Sequence, residues 1–215
     1  NDEWYRRLFE KFNGISGEIS PSYSMLKTDE IRDMFELAPR AKVIFLMRNP
    51  VYRAWSQFRF RTRHHDLDLT SMKSREDYID YIKQFMDSRK QELRSSYLRT
   101  IECYREIFPD DSIIIGFYDA IKHKPEEFLF DIVQFLDGDT MKITKHCEVE
   151  NKVHVSPKIE MPARIKAYLK KKYEKQIIAL SKKFGGYCNN WYKQLYKANY
   201  DDENEVDYQP TVKVN

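Results

Sequence analysis

The stretch Ala41–Phe58, AKVIFLMRNPVYRAWSQF, decides how this chain is read. Its first part, Ala41 to Met47, is a continuous apolar run with β-branched residues near its start. Such a short run suits a strand buried on both faces of a parallel sheet. Asn49-Pro50 then reads as the N-cap and first residue of a helix reaching about Phe60. Arg48 is thereby delivered at the carboxyl end of a strand, where open α/β sheets bind ligands. Ser56 follows two turns into the helix. A guanidinium fork at the strand end and a hydroxyl on the helix can grip one phosphate from two sides. The helix start faces the same crevice with its N–H groups and positive dipole end. The plainer alternative is that Arg48 pairs with a carboxylate and Ser56 only solvates the helix.

Working outward, other elements fall into the same alternation. Trp4 to Phe12 is a short amphipathic helix pattern, followed by a strand or loop over Gly14–Tyr23. Thr28 to Ala38 reads as a helix with Ile31, Met34, Phe35 and Ala38 on its apolar face. Arg61 to Arg75 is polar and reads as a loop, and Glu76 to Phe85 as a helix. One long helix is expected over about Gln91–Phe108, with Tyr97, Ile101, Tyr104 and Phe108 on one face. Ser112 to Tyr118 reads as a second buried strand, and Pro125 opens a helix that Gly138 ends. Asn151 to Pro162 is a loop. Pro162 starts a long helix with Ile165, Leu169, Tyr173, Ile177, Leu180 and Phe184 inward and Gly185-Gly186 as its C-cap. Strands separated by helices of this length imply crossover connections. The expected class is therefore α/β, a parallel sheet flanked by helices.

Composition narrows the function. The chain has 215 residues, 41% hydrophobic and 33% charged, with a net charge of +3. That suits a globular domain and gives no call for nucleic acid or a membrane surface as partner. Glycine is scarce, with six in the chain, and neither GxxxxGK[ST] nor GxGxxG occurs. A self-contained phosphate-cradling loop of either common type is excluded. Three scattered cysteines, without CxxC, argue for a reducing compartment and against a zinc site, so no metal is expected. No N-x-[ST] acceptor is present, and the longest apolar run, Val43–Met47, is far too short to span a membrane. The expected location is cytoplasmic, with the Golgi lumen as the alternative for a lumenal fragment of a eukaryotic protein. Asp201–Asp207 holds five acids in seven residues and reads as a solvated tail. The last helix carries a basic face, from Arg164 to Lys183, that reads as solvated before it reads as an anion site.

The segment Ala41–Phe58 closely resembles the 3′-phosphate-binding segment of PAPS-dependent sulfotransferases (PAPS is 3′-phosphoadenosine 5′-phosphosulfate). The branch is the one containing many bacterial enzymes and the heparan sulfate sulfotransferases. Their pattern is a hydrophobic strand, Arg-[Asp/Asn]-Pro, a further Arg, then Ser eight after the first Arg; Arg48, Asn49, Pro50, Arg53 and Ser56 fit it. GEISPSY at Gly17–Tyr23 and the blocks from Ser95 to Asp139 and from Met161 to Trp191–Tyr192 resemble later parts in the family's order.

The resemblance implies a P-loop-kinase-like sulfotransferase fold and transfer of a sulfuryl group from PAPS, with PAP as product. The acceptor is a hydroxyl or amine, with a glycan or small molecule favoured. Arg48 and Ser56 would bind the 3′-phosphate, and Arg53 would brace the helix or strand end. Ser96 and Tyr97 sit where a helix nears the nucleotide, although core packing explains Tyr97 equally well. Lys152, His154, Ser156 and Lys158 occupy the place of a basic loop folded over the nucleotide, without the Lys-Gly-Arg sequence of the heparan sulfate enzymes. Glu18 is a candidate substrate-side carboxylate, with a salt bridge as its alternative. His64 and His65 are candidates for the acceptor entrance, or are simply exposed. Nothing before Glu18 matches the family's Lys-containing, Gly/Thr-rich 5′-phosphosulfate loop. The first strand, that loop and the general base are therefore expected upstream of Asn1, in a longer gene product. The expected organisation is an N-terminally incomplete domain over 1–198 and an acidic tail over 199–215. The alternative function is a non-catalytic module binding PAP, another nucleotide or an anionic polymer.

Overall fold

The computed structural model describes residues 2–9, 14–64, 74–143, 159–197 and 208–214. They divide between two compact units. The first comprises Asn1–Met47, Leu98–Asn151 and Pro210–Asn215; the second comprises Arg48–Tyr97 and Lys152–Gln209.

The first unit holds the sheet. Strand β1, Val43–Met47, pairs parallel with β2, Ile113–Phe117, in the register Val43 opposite Ile113 through Met47 opposite Phe117. Every residue of β2 is buried, whereas Ile44 and Leu46 on β1 are 40% and 43% exposed. Among the described strands β2 lies between the other two in the order β1-β2-β3, and Ile44 and Leu46, two residues apart, share one face of β1. Strand β3, Thr211–Lys213, pairs antiparallel with β2. The α/β sheet is thus small and mixed, with its parallel pair at β1 and β2 and an antiparallel third strand near the end of the sequence. The hold of β3 on the sheet is tertiary: Phe117 N–H donates to the Pro210 carbonyl, and Thr211 Oγ1 donates to Asp131 at 2.7 Å.

Helices of this unit begin with α1, Asp2–Arg7, and α2, Thr28–Leu37. Between these two lies a 3₁₀ turn, Pro21–Met25. Its irregular backbone is satisfied by side chains, since a buried carbonyl needs a donor. Thr100 donates to the Ser24 carbonyl at 2.9 Å, Arg99 to Leu26 at 2.8 Å and Tyr104 to Tyr23 at 3.2 Å. After β2 the chain forms two helices, Tyr118–His123 and Pro125–Phe135. The second packs on the sheet at Gly116. A Cβ there would stand 2.6 Å from Phe128 Cε2, so only glycine allows the approach.

The second unit is helical. It contains α3, Pro50–His64; α4, Arg75–Met86; α5, Arg89–Ser95; a long helix Ala163–Phe184; and Gly186–Tyr196. The long helix buries Ile165, Leu169, Tyr173, Ile177 and Leu180, the inward stripe that periodicity predicts. Gly185, at φ +58°, and Gly186, at φ +41°, make the reversal into the next helix. The single helix expected over 91–108 is two: α5 ends at Ser95, and α6 runs over Tyr97–Arg105. Ser96 terminates α5 by turning its hydroxyl back to the Glu92 carbonyl at 2.8 Å. Tyr97, Ile101, Tyr104 and Phe108 are nevertheless all buried, because the apolar spacing continues across the break. Among the described residues no helix is long and apolar enough to cross a membrane.

Candidate functional site

The site grows from the start of α3. Asn49 is 2% exposed; its Oδ1 accepts from Val51 N–H at 3.0 Å, and its carbonyl accepts from Arg53 N–H at 2.8 Å. Pro50, with no N–H, fills the first helical position. The capping read from Asn49-Pro50 is therefore present, but it uses donors that an anion would otherwise meet. Side chains supply further donors.

Those side chains meet. Arg48 and Ser56 line one cavity of about 220 Å³ together with Tyr52, Trp55, Arg59 and the segment Ile159–Met161. The helix supplies this by period: Tyr52, Trp55, Ser56 and Arg59 are spaced to share one stripe of α3. Trp55 is 5% exposed and stacked on Phe58, with ring centroids 5.5 Å apart. Its indole N–H donates to the Ile159 carbonyl at 3.2 Å, which ties the far wall of the cavity to α3.

Behind the cavity stands a polar scaffold. Tyr97, 3% exposed, donates its hydroxyl to the Arg48 carbonyl at 2.7 Å. Burial pushes its phenol up to about 12, against the lowering effect of nearby Arg53, so it stays a neutral donor at physiological pH. Arg53 points away from the cavity. Its Nη2 donates to Gln91 Oε1 at 2.9 Å and Ser95 Oγ at 2.7 Å. Ser95 in turn donates to the Tyr173 hydroxyl at 3.2 Å, and Gln176 donates to the Ser95 carbonyl. Arg94 sits by Arg53, and its pKa is lowered by burial and then by that neighbouring charge.

The other expected site residues fall elsewhere. Ser96 and Tyr97 do not line the cavity; the first caps α5 and the second holds the Arg48 carbonyl. Glu18 lies in the first unit, where its carboxylate accepts from the Tyr5 and Tyr23 hydroxyls rather than pairing with an arginine. Burial, then the bond to Glu18, pushes the Tyr5 phenol up to about 12. His64 is the last residue of α3, a helix four residues longer than expected. His65, Lys152, His154, Ser156 and Lys158 lie outside the described residues. Among those described, no three His, Cys, Asp or Glu side chains are grouped to hold a metal. Sequence reasoning missed Tyr52, Trp55 and Arg59; counting four residues back and three forward from Ser56 would have found Tyr52 and Arg59, and three on from Tyr52 would have found Trp55. Ile159–Met161 carried no signal in the sequence.

The fold defines the class first. The crystal structure of a sulfotransferase from Alicyclobacillus acidocaldarius superposes with a TM-score of 0.61 over 85% of this chain and 70% of that one, at 21% identity. The sulfotransferase domain family matches residues 23–181, and the chain belongs to that family. A bifunctional heparan sulfate N-deacetylase/N-sulfotransferase 1 of Caenorhabditis elegans is 26% identical over 137 residues. That match takes in 63% of this chain and only 16% of the length of the relative.

Proposed function

We propose that the chain acts in transfer of a sulfuryl group from PAPS to a hydroxyl or amine acceptor, with Arg48 and Ser56 holding the 3′-phosphate. The observation that carries this is the meeting of both side chains in one cavity at the capped start of α3. A guanidinium and a hydroxyl offer the donors a phosphate dianion accepts, and a half-enclosed site strengthens their attraction. When bound, PAPS would supply an activated sulfur–oxygen bond: the sulfuryl group would pass to the acceptor oxygen or nitrogen, PAP would leave, and the acceptor's proton would pass to a base. In this reading Arg48 and Ser56 anchor the nucleotide, while Tyr97 holds the Arg48 carbonyl from behind. Positioning of this kind is the main demand of an in-line transfer. Carbohydrate and small-molecule acceptors both suit the chemistry.

The alternative, a module binding an anionic polymer on the basic face of the long helix, has less support. Arg164 is engaged in a bidentate pair with Glu76, and Lys172 with Asp87. Part of that face is thus already neutralised.

Titration calorimetry with PAP and with adenosine 5′-phosphate tests the reading. PAP is expected to bind at least about tenfold more tightly, and Arg48→Ala to abolish the difference. Equal binding of the two nucleotides by the wild-type protein, or a silent Arg48→Ala, would refute it.

A further inference from the structure

We propose that Arg59 is a third anchor of the phosphate held by Arg48 and Ser56, and so sets selectivity for the 3′-phosphorylated nucleotide. This rests on the nucleotide reading above. Arg59 stands three residues after Ser56, close to one helical turn, and lines the same cavity. The neighbouring arginines of α3 are directed elsewhere. Arg53 is engaged with Gln91 and Ser95, and Arg61 lies over the Phe85 ring at 5.6 Å.

Charge supports a part for Arg59. Among the described residues the lining contains two cations, Arg48 and Arg59, and one acid, Glu160. With both arginines the formal balance is positive; with Arg48 alone it would be zero, and a doubly charged phosphate would gain little from entering. Arg59 is half-buried, so its charge acts through a medium less screening than water. Geometry adds to this. Ser56 and Arg59 come from α3, one turn apart, while Arg48 comes from the chain just before it, so the donors belong to two successive parts of the chain. The aromatic residues Tyr52 and Trp55 form the intervening wall, and the Trp55 indole is fixed by its bond to Ile159.

The test compares PAP and adenosine 5′-phosphate on wild type, Arg59→Gln and Arg59→Lys by calorimetry. Arg59→Gln is expected to weaken PAP about tenfold to a hundredfold while changing adenosine 5′-phosphate less than about twofold. Arg59→Lys keeps the charge without the fork and is expected to recover part of the loss. A second measurement needs no mutation: PAP is expected to protect Arg59 of the wild-type protein from phenylglyoxal, read by peptide mass mapping. Equal losses for both nucleotides, no loss, or unprotected Arg59 would overturn the proposal. A wild-type protein with no preference for PAP would fail the nucleotide reading and this inference with it. A preference that survives Arg59→Gln would remove Arg59 alone.

Discussion

Replacement of Arg53 by methionine separates a brace from a ligand contact. Met has comparable length and no charge, so the main loss is the pair of bonds to Gln91 and Ser95. Each is a charge-assisted bond worth about 1.5–3 kcal/mol, giving about 3–6 kcal/mol gross. Gln91 and Ser95 are 2% and 1% exposed, so water does not readily replace the guanidinium. Ser95 keeps its bond to Tyr173, which limits the damage at that end. Two gains offset part of the cost. A partly buried charge is removed, and Arg94 loses a like-charged neighbour whose presence lowers its pKa. The expected net destabilisation is about 2–4 kcal/mol. It should appear in urea denaturation as a lower midpoint with an unchanged m-value. At urea-free equilibrium the folded variant should bind PAP within about threefold of wild type, because Arg53 does not line the cavity. The reasoning is refuted by the opposite split: unchanged stability with a tenfold or greater loss of PAP binding.

Two further predictions concern stability alone. Gly116→Ala forces a Cβ to within 2.6 Å of the Phe128 ring and 3.3 Å of Leu46 Cδ1. It should cost about 1–3 kcal/mol by denaturant titration, and adding Phe128→Leu should recover part of that; additive losses would show the contact is not the cause. Asp87 is partly buried, which favours its neutral form, but bonds from Lys172 and Tyr168 outweigh this and hold its pKa below the ordinary value. A depressed folded pKa contributes stability that is present above the unfolded value, about 4, and lost as pH falls through the folded one. Thermal melts of Asp87→Asn should therefore show a shallower loss than wild type below about pH 4. Parallel curves would exclude Asp87 as a contributor.

The parts of the fold that the sequence disclosed are those decided locally. The apolar run before Arg48 and the Asn49-Pro50 cap fix β1 and the start of α3 within a few residues, and the long helix shows its stripe from Ile165 to Leu180. The break at Ser96 was hidden because Tyr97 and Ile101 continue the spacing across it. What ends α5 is a side-chain bond from Ser96 to the Glu92 carbonyl, which periodicity does not register. Strand β3 was hidden for another reason: three residues behind an acidic run carry no pattern, and its partners Ile114–Gly116 lie far away in sequence. The site divides the same way. Arg48 and Ser56 were legible as a motif, and Arg59 was legible by helical counting. Ile159 is tied beside the cavity by the bond from Trp55 to its backbone carbonyl, a group every residue has.

The bond from Tyr97 to the Arg48 carbonyl joins the first and last residues of the stretch by which the chain enters and leaves the second unit. The stretch is thus closed where it begins, and Lys152–Gln209 completes the unit. Residues added between α3 and α4 need not alter the distance between its ends. The polar segment after α3 falls inside that closed excursion, and the entropy of closing a loop rises only slowly as residues are added. New binding surface can be grafted there while β1 and α6 keep their spacing. One buried hydroxyl thus pins the two ends of the excursion that carries the α3 side of the cavity.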